Sequence, residues 1–331
     1  MSSRPEFTSS IGSTILRYVA ANKALGKGFA LQRTLLAQLD RFLGDRGEPD
    51  LTAAAFAAWD ASIEHLTTNG RRLRLQTVDR FCRWRRRVDS SCFVPDASQF
   101  PRQRPAARPH IFSEAQIVSL LAHAAAPRRG ASALCQGTYR VAVALLYTAG
   151  LRRGELLRLT LADHDARQGV LCIRKTKFHK SRVIPLSRDA ASEVDAYVAL
   201  RRRLHLPTGP EARLLLHRRG GVPTPYSADG FGNSMRRLFR AAGIRTATGR
   251  TPRIHDLRFT FAMHALTRWY RSGVDVASRM PALATYMGHV SVASTQYYLS
   301  CLDAVAHEAS ERFGRHCASL LDSPANGGGA R

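Results

Sequence analysis

The chain has 331 residues, 44% of them hydrophobic, which argues against a disordered protein and allows two domains with separate cores. It carries 50 Lys and Arg against 25 Asp and Glu, and this formal net charge of +25 is typical of proteins that bind a polyanion, DNA or RNA. Because no apolar run approaches the roughly 18 residues of a membrane span, and no signal peptide is evident, we expect a cytoplasmic protein without a membrane partner.

Residues 8 to 88 have the periodicity of four amphipathic helices. The predicted helices cover Ile11–Ala21, Phe29–Leu43, Leu51–Leu66 and Leu73–Val88. We expect Asp50 to cap the third helix and Gly70 to separate the third from the fourth. Residues 1–89 are therefore predicted to form an N-terminal four-helix domain.

The fourth predicted helix is crowded with arginine. Apolar side chains recur on it at helical spacing and are expected to face a core: Leu75, Val78, Phe81 and Trp84. Arginines occupy the remaining surface: Arg71, Arg72, Arg74, Arg80, Arg83, Arg85, Arg86 and Arg87. A solvated helix usually mixes charge signs, so we interpret this surface as one that binds DNA phosphates. The residues assigned to DNA binding are Arg71, Arg74, Arg80, Arg83, Arg86 and Arg87, and the alternative is an ordinary exposed face.

Residues 90–109 are rich in proline and contain several basic residues. Proline disfavours helix, so this segment is predicted to be an extended linker. Its charge suits a strap across a DNA backbone between two domains, although a solvated linker fits as well.

Residues 110–322 are predicted to form a second domain, and residues 323–331 a disordered tail. The expected helices are Glu114–Ala125, capped by Ser113, then Cys135–Ala149, Ala190–Leu204, Ala228–Ala242, Leu257–Tyr270, one before Gly288 and one after Ser291. Two strands, Val170–Arg174 and Arg182–Leu186, are expected to be joined by a turn through Phe178 and His179. The fold class is therefore mainly α with a small antiparallel β-sheet.

The cysteines give no sign of a metal site or a disulfide framework. They are widely spaced and form no Cys-x-x-Cys or Cys-x-x-His pair: Cys82, Cys92, Cys135, Cys172, Cys301 and Cys317. We expect free thiols and neither a metal ion nor a cofactor.

Six residues of the C-terminal half form an ordered set that suits attack of a tyrosine on phosphorus. They are Arg152, Lys177, His255, Arg258, His289 and Tyr298. Arginine guanidinium groups fork around phosphate oxygens and neutralise the charge that grows on them. A phenol with an ordinary pKa of about 10 needs such positive surroundings to lose its proton.

Local spacing places several of these residues. Arg152 follows the break at Gly150 and is expected near a helix start, with Glu155 one turn away to hold its guanidinium, although Arg153 and Arg158 are rivals. Asp256 is expected to cap the helix that carries His255 and Arg258. A straight helix would separate His289 from Tyr298 by about 13 Å, so we expect a bend between them, placed by Gly288 in a left-handed conformation and by Ser291 as the cap of the next helix.

This ordered pattern resembles the tyrosine recombinases, the phage integrase family, over roughly residues 110 to 320. The resemblance selects Tyr298 over the adjacent Tyr297. Counting back from residues 183–186, which resemble the family's second strand, selects Lys177 over Lys175 and Lys180. Phe259 is a departure, because many relatives carry a second histidine at that position.

The resemblance implies a site-specific DNA recombinase with a four-helix core-binding domain and a mixed catalytic domain. Tyr298 would form a 3′-phosphotyrosine bond, and Lys177 would protonate the departing 5′ oxygen. Four protomers, or a mixed recombinase assembly, would exchange strands of double-stranded DNA, with the helical segment Ala304–Leu321 docking on a neighbour. The length of residues 268–286 is similar to recombinases of mobile elements. The alternatives are a type IB topoisomerase-like enzyme and a non-catalytic DNA-binding architectural protein.

Overall fold

The computed structural model describes residues 7–105, 107–126, 132–174 and 181–289. The chain divides into two compact units, one ending at Ala107 and the other beginning at Arg108. Lys177 and Tyr298 lie outside the described residues, as do the predicted turn through Phe178 and His179, the helix after Ser291 and the tail. Among the described helices, none is long and apolar enough to cross a membrane.

The first unit contains the four predicted helices. They are α1 (Gly12–Ala24), α2 (Ala30–Asp45), α3 (Ala53–Ser62) and α4 (Thr68–Arg86). Apolar residues recur at helical spacing along these helices, so each helix has an apolar face. These faces meet in a core that includes Ile15, Leu36, Leu39, Trp59 and Phe81.

Two expectations about the ends of these helices are wrong. Thr52, rather than Asp50, caps α3, since its hydroxyl accepts a hydrogen bond from the Ala55 amide at 3.1 Å. Asp50 instead accepts from the amide of Leu51 at 2.6 Å. Gly70 lies in the first turn of α4 and donates its amide to the Thr67 hydroxyl at 3.2 Å, so the cap places this glycine inside the helix.

The proline-rich segment after α4 packs against the helices of the first unit. Phe93 and Phe100 pack against its apolar core. The Asn69 side chain donates to the Arg104 carbonyl at 3.0 Å and accepts from the Arg104 amide at 2.8 Å. Contacts within the first unit therefore hold this segment as far as Arg104.

The second unit contains seven α-helices and two antiparallel sheets among its described residues. The helices are α5 (Glu114–Ala125), α6 (Ala133–Thr148), α7 (Arg153–Arg158), α8 (Arg188–Arg203), α9 (Ala228–Ala241), α10 (Ile254–Arg271) and α11 (Val276–Met287). The strands are β1 (His164–Asp165), β2 (Val170–Ile173), β3 (Arg182–Pro185), β4 (Leu216–Arg219) and β5 (Val222–Pro225). This architecture confirms the predicted fold class.

The predicted strand pair is β2 with β3, in which Val170 lies opposite Pro185 and Ile173 opposite Arg182. β1 extends this sheet in the order β1-β2-β3. The hairpin of β4 and β5 was not predicted. Gly220 and Gly221 form its two-residue turn with φ of 57° and 82°, angles that favour glycine.

The core of the second unit is built around α6, which packs against α5, α8 and α10. A further apolar cluster joins α10 to α11 through Phe259, Met263, Leu266, Leu283 and Met287. This packing sets the C-terminal end of α11 beside the first turns of α10. Phe259, which stands where many members of the resembled family carry a second histidine, is buried in this cluster and is 3% exposed.

Candidate active site

Arg152 and Arg258 converge on the C-terminal end of α11. Arg152, the residue before α7, donates from Nη2 to the Gly288 carbonyl at 2.8 Å and from Nη1 to the Met287 carbonyl at 3.5 Å. Arg258, in α10, donates to the same Met287 carbonyl at 2.7 Å and to the Gly150 carbonyl at 2.5 Å. Because the last carbonyls of a helix lack helical partners and carry partial negative charge, they hold the two guanidinium groups side by side.

Gly288 ends α11 in the left-handed conformation that the sequence predicts, with φ 67° and ψ 45°. Its amide donates to the Thr285 carbonyl at 2.9 Å, and the His289 amide donates to the Ala284 carbonyl at 2.8 Å. This pair of bonds is the Schellman motif, which reverses the chain direction after a helix. His289 therefore follows directly after the carbonyls that bind the two arginines.

His255 and His289 belong to the same electrostatic cluster as Arg152 and Arg258. Desolvation of the ring, followed by the charges of Arg258 and Arg152, lowers the pKa of His289 to about 4. Desolvation and then Arg258 also lower the pKa of His255, although by its surface area His255 is an exposed residue. The depressed pKa keeps His289 neutral at pH 7, and a neutral imidazole offers one hydrogen-bond donor and one acceptor.

Glu155 braces Arg152, as the sequence predicts. Its Oε1 accepts from Nη1 of Arg152 at 2.8 Å, and its Oε2 accepts from the Arg152 amide at 3.0 Å. Burial alone would raise the pKa of this carboxyl, but hydrogen bonds from Arg182 and from the Arg152 amide lower it to about 2. Glu155 is consequently a carboxylate throughout the physiological range.

Sequence reasoning missed Arg182, whose guanidinium also binds Glu155, with Nη1 3.1 Å from Oε1 and Nη2 2.9 Å from Oε2. Its only sequence signal was its place at the start of a predicted strand. The rivals of Arg152 lie elsewhere: Arg153 and Arg158 are exposed, and Arg153 donates to the Ala228 carbonyl at 3.4 Å.

Asp256 has the capping role predicted for it. Its Oδ2 accepts a hydrogen bond from the Arg253 amide at 2.8 Å at the start of α10, and the residue is 5% exposed. The cap orders the helical turn that presents His255 and Arg258. Among the described residues, no group of three or more His, Cys, Asp or Glu side chains is arranged to hold a metal ion.

The arginines of α4 divide into two groups. Exposed side chains belong to Arg80, Arg83, Arg86 and Arg87, whereas Arg71, Arg72, Arg74 and Arg85 are half-buried. In the second group, Arg71 binds both oxygens of Asp60 at 2.6 and 2.7 Å, and Arg74 donates to Gln38 at 3.2 Å. Arg80, Arg83 and Arg87 share one helical face, because they are spaced three and four residues apart.

Comparison with known proteins assigns the chain to a family. The profile of the phage integrase family matches residues 111–304. An integrase/recombinase of Sinorhizobium fredii, y4rB, is 33% identical over 295 residues, which cover 88% of this chain and 93% of that protein. The chain belongs to the phage integrase family. It is therefore a tyrosine-type DNA recombinase, an enzyme that breaks and rejoins DNA strands.

Other relatives and solved structures resemble this recombinase. The tyrosine recombinase XerD of Xanthomonas axonopodis is 33% identical over 211 residues, 62% of each chain. The Tn1549 transposon integrase bound to transposon right end DNA has a TM-score of 0.61 and 18% identity, over 88% of this chain and 94% of that one. A lambda integrase dimer bound to a COC′ core site has a TM-score of 0.58 and 17% identity, over 86% and 94%. The structural likenesses show that the recombinase shares their fold.

Proposed function

We propose that this recombinase cuts DNA by attack of Tyr298 on a scissile phosphate, which leaves a 3′-phosphotyrosine bond and a free 5′ hydroxyl. The observation that carries the proposal is the convergence of Arg152 and Arg258 on the turn at Met287 and Gly288, with His289 next to them. Tyr298 follows His289 by nine residues in the sequence, the order that the family resemblance requires.

The two guanidinium groups suit the non-bridging oxygens of the phosphate. Those oxygens gain charge as the tyrosine oxygen approaches phosphorus, and charge-assisted hydrogen bonds from arginine offset it. His289 and His255, neutral at pH 7 by the depression of their pKa values, would donate hydrogen bonds or take the phenol proton of Tyr298. A neutral imidazole has the acceptor nitrogen that a protonated one lacks, although the lowered pKa also makes each ring a weaker base.

Lys177 would protonate the departing 5′ oxygen. In this step the bond from the tyrosine oxygen to phosphorus forms, the bond from phosphorus to the 5′ oxygen breaks, and the lysine proton passes to that oxygen. The energy of the phosphodiester is kept in the phosphotyrosine link, so a 5′ hydroxyl of another strand reverses the reaction without ATP. Lys177 lies in sequence between β2 and β3, and it is the lysine selected by counting back from residues 183–186.

We infer that the substrate is double-stranded DNA of a mobile element, exchanged between two duplexes by a tetramer. The +25 net charge supports a DNA partner. The integrase/recombinase relative of Sinorhizobium fredii and the Tn1549 transposon integrase support the mobile-element setting.

A nicked suicide substrate tests the proposal, because loss of the short 5′ fragment traps the covalent intermediate. The purified recombinase should form a protein–DNA adduct on its recombination site in excess EDTA, since arginine and lysine supply the positive charge for catalysis. Tyr298→Phe should bind the site with unchanged affinity and form no adduct. Tyr297→Phe is the matched control and should form it. An adduct that survives Tyr298→Phe would refute the assignment.

A further inference from the structure

We propose that Arg182 is a positioning residue for DNA cleavage, which orients the guanidinium of Arg152 by holding Glu155 between them. The inference rests on the proposed function, because it takes Arg152 to bind the scissile phosphate. Arg182 lies at the first position of β3, on a different element from Arg152, which precedes α7, and from Arg258, which lies in α10.

The guanidinium of Arg182 makes three hydrogen bonds inside the protein, one from each of its nitrogens. Nη1 and Nη2 bind the two oxygens of Glu155 at 3.1 and 2.9 Å, and Nε donates to the Tyr286 carbonyl at 2.9 Å. The Arg182 side chain is 10% exposed and that of Glu155 is 2% exposed. A planar fork on a carboxylate has a fixed geometry, so Arg182 determines how the Glu155 carboxylate is turned.

The Glu155 carboxylate, oriented by Arg182, in turn orients the guanidinium of Arg152 through a shared oxygen. Oε1 of Glu155 accepts from Arg182 and also from Nη1 of Arg152 at 2.8 Å. The other end of the Arg152 guanidinium binds the Gly288 carbonyl at 2.8 Å, while Arg182 binds the Tyr286 carbonyl at the same end of α11. The contacts close a ring through Arg182, Glu155, Arg152 and the end of α11. Such a ring fixes the Arg152 side chain before substrate arrives.

The turn at Gly288 leaves room for this arrangement. A Cβ atom at position 288 would lie 2.7 Å from Nη1 of Arg182 and 2.9 Å from its Cζ. Any side chain there would displace the arginine from Glu155. The glycine therefore serves the Arg182 contact as well as the left-handed backbone.

Arg182 also keeps Glu155 ionised. Burial by itself raises the pKa of Glu155, and the contacts of Arg182 and Arg152 lower it to about 2. Two charged groups bind this carboxylate, Arg152 from the start of α7 and Arg182 from β3. The charges of both arginines also help to lower the pKa of the nearby His289. Without Arg182, Glu155 would take up a proton at higher pH and bind Arg152 less strongly.

The test uses single-turnover cleavage of the nicked substrate by the full chain at saturating enzyme. Arg182→Met should slow cleavage by roughly tenfold to a hundredfold, the range expected when a reacting group is misplaced, with DNA affinity unchanged. The deficit relative to the unmodified enzyme should grow as pH falls. Arg140→Met, which breaks the Arg140–Glu193 pair elsewhere in the second unit, is the control and should cleave normally.

A double-mutant cycle shows whether Arg182 acts through Glu155. In a Glu155→Gln background, Arg182→Met should slow cleavage by less than about threefold more, because the two residues act on Arg152 together. Additive losses would overturn the inference. If Arg182→Met reduces the folded fraction, Arg182→Lys, which retains one charged donor, should cleave more slowly than the unmodified enzyme and faster than Arg182→Met. A rate for Arg182→Lys at or below that of Arg182→Met would count against the inference.

A substrate with a bridging 5′ sulfur separates Arg182 from the proposed general acid, since residues 175–180, which include Lys177, come shortly before β3. The sulfur should leave the Arg182→Met deficit in place. Restoration by sulfur would mean that Arg182 acts through Lys177, contrary to the inference. The unmodified enzyme separates the two proposals: absence of its adduct refutes the proposed function, whereas a normal adduct with fast Arg182→Met cleavage refutes only the role of Arg182.

Discussion

Arg152 and Arg258 donate to one backbone oxygen, that of Met287, over 3.5 and 2.7 Å. The two side chains come from separate elements, and the end of α11 is the point where they meet. Because a backbone carbonyl orients them, the pair keeps its geometry without a phosphate present, and little reorganisation is needed when DNA binds. The turn at Gly288 is therefore as important to the site as the arginines.

Gly288→Ala should impair cleavage far more than an equivalent change at another left-handed glycine. Gly288 and Gly273 have φ of 67° and 69°, but a Cβ atom at 288 would lie 2.7 Å from Arg182, whereas nothing lies within 4 Å at 273. Both substitutions should cost about 1 kcal/mol in backbone strain. In urea unfolding, Gly288→Ala should lose more free energy of unfolding than Gly273→Ala. The single-turnover cleavage rate should fall by roughly tenfold or more only in Gly288→Ala. Equal effects would show that the turn does not support the site.

Local patterns were sufficient to predict the helices of both units and the Gly288 turn. The Arg152–Glu155 pair was also predictable, since residues three apart on one helical turn are neighbours. These features depend on a few adjacent residues. The same reasoning chose the wrong cap for α3, because Asp50 and Thr52 are both good capping residues and only the backbone geometry decides between them.

Contacts between distant elements were not predictable from the pattern. Arg182 meets Glu155 only because β3 packs near α7, and the sequence offers no periodicity that links the two residues. The β4–β5 hairpin is a local structure and was missed for a different reason: its strands contain Arg218, Arg219 and two prolines rather than an alternation of apolar and polar residues.

The stability of the recombinase should fall with pH through the titration of His289. Its pKa is about 4 in the folded protein, against an ordinary value of 6.5. The unfolded chain therefore binds the proton first, so the stabilisation is present above about pH 6.5 and is lost as pH falls toward about 4. Between about pH 7 and pH 5, urea unfolding of the unmodified protein should lose on the order of 1 kcal/mol more than that of His289→Gln. If the free energy of unfolding had the same pH dependence in both proteins, the depressed pKa of His289 would be contradicted.

The exposed arginines of α4 should contribute to DNA affinity through phosphate contacts. Arg80→Glu together with Arg87→Glu should weaken binding to specific and unrelated duplexes alike. The slope of log K against the logarithm of the salt concentration should become shallower by about one unit per lost phosphate contact. Arg46→Glu is the control for each single α4 substitution, because it makes the same change from positive to negative charge at an exposed arginine beyond the end of α2. An unchanged slope in the α4 variant would identify that face as an ordinary solvated surface.

Lys177→Ala should slow cleavage of an ordinary substrate and spare one with a bridging 5′ sulfur. Sulfur leaves without a proton, so the general acid is no longer required. Arg152→Ala should stay slow on both substrates, because its charge acts on the non-bridging oxygens. If the sulfur rescues Lys180→Ala and leaves Lys177→Ala slow, the general acid is Lys180.

Mass-spectrometric mapping of the covalent adduct formed on a suicide substrate identifies the nucleophile directly. After nuclease and protease digestion, we expect a peptide with the 3′-phosphate of the cleaved strand on the hydroxyl of Tyr298, and a free 5′ hydroxyl on the released fragment. A nucleotide on Tyr297 or on another residue, or a 5′-phosphate link to the protein, would contradict this expectation.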